Sequence, residues 1–127
     1  MAIVGTGIDI CEVARVAASI ERFGERFLGR VYTPNEIAYC RSRKRSANQS
    51  FAARFAAKEA AMKALGTGWG KGVRWRDIEV ARQPGGRPTI IFHGVAQERA
   101  ERLGGRQISL SITHTGNFAL AEVILEN

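Results

Sequence analysis

Residues 51–65 are rich in alanine, contain neither Gly nor Pro, and stop at Gly66. Alanine has the highest intrinsic helix propensity, so an unbroken run of this kind predicts a long α-helix. Gly66 suits the left-handed residue that closes such a helix, and Ser46-Ala47-Asn48-Gln49 ahead of it has the order of a capping box. The rest of the chain has to pack around this element. With 127 residues there is room for one core and no second module, so one domain over residues 1–127 is expected. Hydrophobic residues at 45% and charged residues at 24% exclude wholesale disorder and fibrous repeats.

The periodicity changes along the chain. Residues 3–10 alternate Gly with apolar side chains and read as a short strand, with Gly5 and Gly7 allowing close backbone approach. From Glu12 the apolar residues Val13, Val16, Ala17, Ile20, Phe23 and Phe27 recur at three- and four-residue steps. That pattern predicts one amphipathic helix with Arg15, Arg22 and Arg26 on its outer side. Thr33-Pro34-Asn35-Glu36 combines an N-cap, a first-turn proline and an acid three residues after the cap, so a helix to about residue 43 follows. Residues 66–72 form a glycine loop. Residues 77–81 and 88–92 are short strand-like runs joined through Pro84-Gly85-Gly86, residues 95–103 a helix, and residues 108–114 and 118–125 strands joined through Gly116-Asn117. Strands at both ends with helices between them predict an α+β domain: a mainly antiparallel sheet packed with a long central helix.

Nineteen Lys and Arg against twelve Asp and Glu give a net charge of +7, concentrated in one region. Residues 15–54 carry nine basic and three acidic side chains, a local excess of +6, which steers an anionic partner. A small basic nucleic-acid-binding module is the alternative suggested by this charge and by Arg41-Ser42-Arg43-Lys44-Arg45. Neither a GXXG clamp nor an RRM-type aromatic signature accompanies it, so no nucleic acid is expected. No apolar run reaches membrane-spanning length, and the first residues lack a secretory signal, so no membrane association and a cytoplasmic location are expected. Cys11 and Cys40 come without CxxC or Cys/His ligand spacing and are expected to be free thiols.

Three features carry possible chemistry. Asp9 is an acid in an otherwise apolar strand, where capping the next helix is the plain explanation. Glu59 and Lys63 lie four apart in the alanine helix, where an exposed i,i+4 ion pair is the plain explanation. Ser111-Ile112-Thr113-His114-Thr115 is a polar cluster at a strand end. The loop Gly66-Thr67-Gly68 fits neither the P-loop nor the Rossmann spacing.

Taken in order, Gly7-Ile8-Asp9-Ile10, Arg54-Phe55-Ala56-Ala57-Lys58-Glu59-Ala60, Lys63-Ala64, Gly66-Thr67-Gly68, Asp77-Ile78-Glu79-Val80, Gly86-Arg87-Pro88 and Ser111-Ile112-Thr113-His114 resemble the phosphopantetheinyl transferases. The match is closest to the short bacterial holo-acyl-carrier-protein synthases and spans nearly the whole chain. The resemblance implies transfer of the phosphopantetheine arm of coenzyme A to a serine of apo acyl carrier protein, in support of fatty acid biosynthesis. It implies a homotrimer with active sites in the clefts between subunits, and Mg²⁺ held by Asp9 and Glu59. Lys63 would then meet the pyrophosphate, Arg54 a nucleotide phosphate at the cleft edge, and His114 and Thr115 the coenzyme from the facing subunit. Gly66 and Gly68 would border the coenzyme pocket. The general base stays open between Glu36, which a capping box explains equally well, and a metal-bound water. Acyl carrier proteins are typically acidic, so Arg15, Arg22 and Arg26 become the candidate carrier-protein surface.

Overall fold

The computed structural model describes residues 1–68 and 70–127. Among the described residues, five strands and five α-helices follow in the order β1 (Ile3–Glu12), α1 (Val13–Phe23), α2 (Glu25–Val31), α3 (Pro34–Ser42), α4 (Ala47–Leu65), β2 (Ile78–Arg82), β3 (Pro88–Phe92), α5 (Gly94–Leu103), β4 (Gln107–His114) and β5 (Phe118–Glu126). All strand pairing is antiparallel, but it is split between a three-stranded sheet, β1-β5-β4, and the separate β2-β3 hairpin. This is the α+β architecture that the periodicity predicts. The expected loop over residues 66–72 includes Trp69, which lies outside the described residues.

The alanine helix is the centre. Ala52, Ala56, Ala57, Ala60 and Ala61 are wholly buried, so α4 is covered on most of its circumference. Small side chains let the neighbours come close, and β1 comes closest. A Cβ added at Gly7 would stand 1.8 Å from the Ala60 carbonyl oxygen, and one added at Gly5 would stand 2.1 Å from that of Ala64. Farther along the same strand face, the Cys11 thiol donates to the Ala52 carbonyl at 3.2 Å. Moving forward along β1 therefore moves backward along α4: the two run antiparallel in near contact. Asp9 falls between Gly7 and Cys11 on that face.

Several sequence expectations need correction. The strand runs on to Glu12, so Asp9 is interior to β1 and does not cap α1, whose N-cap position Glu12 makes no side-chain cap bond. The predicted single helix through Phe27 is two, because Gly24 takes φ +55° and breaks it. A periodic apolar stripe continues across such a break, so periodicity could not see it. Arg15 and Arg22 thus belong to α1, and Arg26 to α2. The capping box at Thr33 forms as expected, with Thr33 Oγ1 accepting from the Glu36 amide and Glu36 Oε1 accepting from the Thr33 amide. The one at Ser46 does not: Ser46 ends a short 3₁₀ turn and makes no side-chain cap bond to α4.

Gly7→Ala forces a methyl group into a backbone carbonyl and is expected to lower stability by at least about 3 kcal/mol, the upper end of overpacking costs. Gly29→Ala, in α2 with nothing within 4 Å of its added Cβ, is expected to raise stability by about 0.5–1 kcal/mol. Urea denaturation of the two variants checks the contrast.

Candidate active site

The close approach of β1 and α4 sets one acid from each beside the other. Asp9 and Glu59 line a cleft of about 550 Å³, together with Cys11, Arg15, Phe27 and Phe55. Burial and the neighbouring Asp9 push the Glu59 carboxyl above its usual range, against the pull of Lys63 and Arg15. Burial, with Asp9 and Glu59 nearby, likewise raises the Cys11 thiol to about 11, which keeps it protonated. Lys63 does not form the expected pair with Glu59. Its ammonium crosses to β1, donating to Asp9 Oδ1 at 3.1 Å and to the Ile8 carbonyl at 2.9 Å. The plain reading of Glu59 and Lys63 as a helix-surface ion pair therefore fails.

Two carboxylates on rigid elements suit a hard divalent cation. Among the described residues they belong to no group of three or more metal-ligating side chains. A cation held here would draw its remaining ligands from water and substrate oxygens, as Mg²⁺ commonly does.

A second cavity of about 730 Å³ is lined by Arg30, Arg74, Trp75, Asp77 and His93 among others. Its wall is shared: Phe55 lines the first cavity, Trp75 the second, and the two rings stack at 4.9 Å. The larger cavity offers no acid pair, since Asp77 is engaged by the Arg74 amide and guanidinium. The smaller cleft, with its two acids, is the candidate active site.

Lys58, adjacent to Glu59, points the other way because neighbours on a helix are about 100° apart. Its side chain is wholly buried and pairs with Glu36 Oε1 at 2.8 Å, while also donating to the Trp75 and Ile78 carbonyls. Burial pulls the Lys58 ammonium below its usual range, and Glu36 opposes this. The second Glu36 oxygen accepts from the Val80 amide at 2.7 Å. Both Glu36 oxygens are thus occupied inside the core, and Glu36 is corrected from candidate base to structural anchor.

Arg54 lies five residues before Glu59, about 140° around the helix, and is not brought to the acid pair in this chain. It is buried, with its guanidinium 4.1 Å from the Tyr39 ring centroid and its Nε without a hydrogen-bond partner. Arg82 and Arg43 lie over the same ring. His114 ends β4, which is two strands across the sheet from β1, roughly 10 Å at ordinary strand spacing. Thr115 Oγ1 accepts from the Asn117 and Phe118 amides in the turn that follows. Gly66 closes α4 in the left-handed conformation one turn past Lys63, and Gly68 follows with φ +54°.

The family model of the 4'-phosphopantetheinyl transferase superfamily matches residues 5–121. The chain belongs to that superfamily. It is 64% identical over 125 residues to the holo-[acyl-carrier-protein] synthase of Koribacter versatilis, covering 98% of this chain and 99% of that one. The corresponding synthase of Solibacter usitatus is 58% identical over the same shares of both chains. Among solved structures, the Neisseria meningitidis synthase superposes with a TM-score of 0.89 at 32% identity, covering 99% of this chain and all of that one. The Helicobacter pylori synthase in complex with coenzyme A gives 0.83 at 35% identity, covering 95% and 99%. This phosphopantetheinyl transferase therefore has its superfamily's fold along nearly its whole length. No described helix is long and apolar enough to cross a membrane.

Sequence reasoning missed two parts of the cleft. Cys11 shares the face of Asp9 two residues on, and that alternation was the available signal. The aromatic wall joins Phe27, Phe55 and Trp75 from three separate segments, and no local pattern announces it.

Lys58→Met leaves Glu36 buried without its counter-charge and is expected to cost about 3–5 kcal/mol. Adding Glu36→Gln to the same protein removes the stranded charge and recovers part of that loss. Equal urea midpoints for the single and double variants would show that the charge is not at stake.

Proposed function

We propose that this chain is a holo-acyl-carrier-protein synthase, one phosphopantetheinyl transferase domain over residues 1–127 that acts in the cytoplasm. It moves the 4'-phosphopantetheine of coenzyme A to a serine hydroxyl of apo acyl carrier protein and so supports fatty acid biosynthesis. The observation that carries this is the Asp9–Glu59 pair, held from strand and helix beside Lys63 at one cleft. Relatives bearing the synthase name match 98% of the chain, and one similar structure holds coenzyme A.

The serine oxygen bonds to the phosphorus that carries pantetheine. The bond to the bridging pyrophosphate oxygen breaks, the serine proton is released, and adenosine 3',5'-bisphosphate leaves. Asp9 and Glu59 would hold Mg²⁺, which when bound neutralises charge on the pyrophosphate. Lys63 binds the same phosphates with its ammonium, while Phe27 and Phe55 give the cleft an apolar side that limits water. Arg15 faces the acids from the cleft lining, where it meets the incoming partner. Arg54 serves a nucleotide phosphate, supported by a guanidinium with no carboxylate within ion-pair distance among the described residues. His114 and Thr115 contact the coenzyme from a neighbouring copy, and Gly66 and Gly68 border its pocket.

Mass spectrometry of an apo acyl carrier protein incubated with this chain, coenzyme A and Mg²⁺ is expected to show one added phosphopantetheine. Asp9→Asn and Glu59→Gln should each lower turnover by at least roughly a hundredfold, the scale of a lost electrostatic contribution. Near-wild-type rates in both variants would overturn the site.

The homotrimer is supported by the outer face of the three-stranded sheet. Ile8, Ile10 and Phe118 are 55%, 59% and 45% exposed there, and half-buried Leu120 and Ile124 share the face. An apolar sheet face of this kind is ordinarily covered. Light scattering should give three times the 13.9 kDa chain mass, and Ile8→Glu with Ile10→Glu should reduce it to one.

Arg15, Arg22 and Arg26 form the carrier-protein surface. Arg22 stacks on exposed Phe23, and Phe23 and Arg26 line one shallow depression, so charge and apolar contact lie together. Arg22→Glu with Arg26→Glu should raise KM for carrier protein at least several-fold and leave KM for coenzyme A nearly unchanged, because complementary charge acts on encounter. An unchanged carrier KM would move the docking surface elsewhere.

A further inference from the structure

Lys63 stands between two roles. Its ammonium is bound to Asp9 Oδ1 and to the Ile8 carbonyl, so one carboxylate of the acid pair already has a cation on it. The Asp9 side chain is 15% exposed and fixed in a strand, whereas that of Lys63 is 54% exposed on a flexible four-carbon stem. If one of the two has to move, it is the lysine. A divalent cation shared by Asp9 and Glu59 repels an ammonium at the same oxygens, and the phosphate of a bound coenzyme would give the displaced ammonium a new anionic partner.

We infer that Lys63 is a placeholder for the metal: it neutralises Asp9 in the metal-free protein and is released by the divalent cation, which frees it for the coenzyme phosphate. The inference rests on the proposed metal role of Asp9 and Glu59. It has a thermodynamic consequence. Metal binding and phosphate binding each require the Lys63–Asp9 contact to break, so whichever ligand binds first spares the second that cost. Metal and coenzyme then bind with positive coupling, by a factor equal to the strength of the contact and reciprocal between the two. The Lys63 contact also explains why the acid pair keeps a counter-charge without forming the Glu59–Lys63 pair available on its own helix.

Calorimetric titration of Mg²⁺ into the full chain, without coenzyme, tests this. Lys63→Met should bind Mg²⁺ about two- to fivefold more tightly than wild type, the range for releasing a partly exposed ion pair. The ratio of Mg²⁺ affinities with and without coenzyme A should shrink by the same factor. In ¹⁵N-lysine-labelled wild type, the Lys63 ammonium should exchange slowly in the metal-free protein and faster at saturating Mg²⁺. Unchanged or weaker Mg²⁺ affinity in both Lys63→Met and Lys63→Gln, with folding checked by circular dichroism, overturns the inference. So does ammonium exchange that ignores Mg²⁺. Wild type that binds no Mg²⁺ even at millimolar concentration, while Asp9→Asn leaves activity intact, overturns instead the metal reading on which this rests.

Discussion

A strand and a helix are normally held apart by their Cβ atoms. Here Gly5 and Gly7 remove that separation, and the carbonyls of Ala64 and Ala60 occupy the space their side chains would have taken. Everything at the candidate site follows from this approach. Asp9 is the first residue after Gly7 on the same strand face, so its carboxyl emerges where β1 and α4 are closest. Glu59 and Lys63 bracket Ala60 in sequence, so both side chains leave the helix beside that contact. The alanines complete the arrangement: a bulkier residue at Ala60 or Ala64 would push the strand away and separate the acids.

Adjacent residues of α4 then serve opposite ends. Lys58 turns inward, where Glu36 and two carbonyls surround it and its environment is wholly dry. Glu59 turns towards the cleft, where burial and then Asp9 raise its carboxyl and Lys63 and Arg15 counter this. The buried pair joins α3, α4 and the start of the β2-β3 hairpin, and so holds the helix at a set rotation. The half-buried Asp9–Glu59 pair needs that rotation for Glu59 to face β1. A buried ion pair adds little net stability compared with apolar packing, but it penalises any other register of the helix, because a misaligned Lys58 would be buried unpaired.

Much of this was legible in the sequence. The central helix, its Gly66 stop, the Thr33 capping box, the hairpin and the terminal strands each rest on local chemistry, and each forms. Asp9, Glu59 and Lys63 could be named as a group from their motif. What was misread involved residues whose partners are distant. The break at Gly24 leaves the apolar period intact on both sides, and Ser46 has the composition of a cap without the geometry. Glu36 stayed open between a capping acid and a base because nothing near it in sequence reveals that Lys58 is its partner.

The sequence by itself determined most of the elements, the glycine positions that permit close approach, and the superfamily, because these depend on propensity, period and residue order along the chain. Tertiary structure alone decided which neighbours the ionisable groups have. It gave Lys58 to Glu36 and Lys63 to Asp9, although Glu59 was the closer candidate in sequence. It also set Arg54 on Tyr39, on the far side of α4 from the acids. The physical reason is that a charge takes its partner according to distance and burial in three dimensions. A helix places successive side chains about 100° apart, so residues next to each other in sequence meet different surroundings.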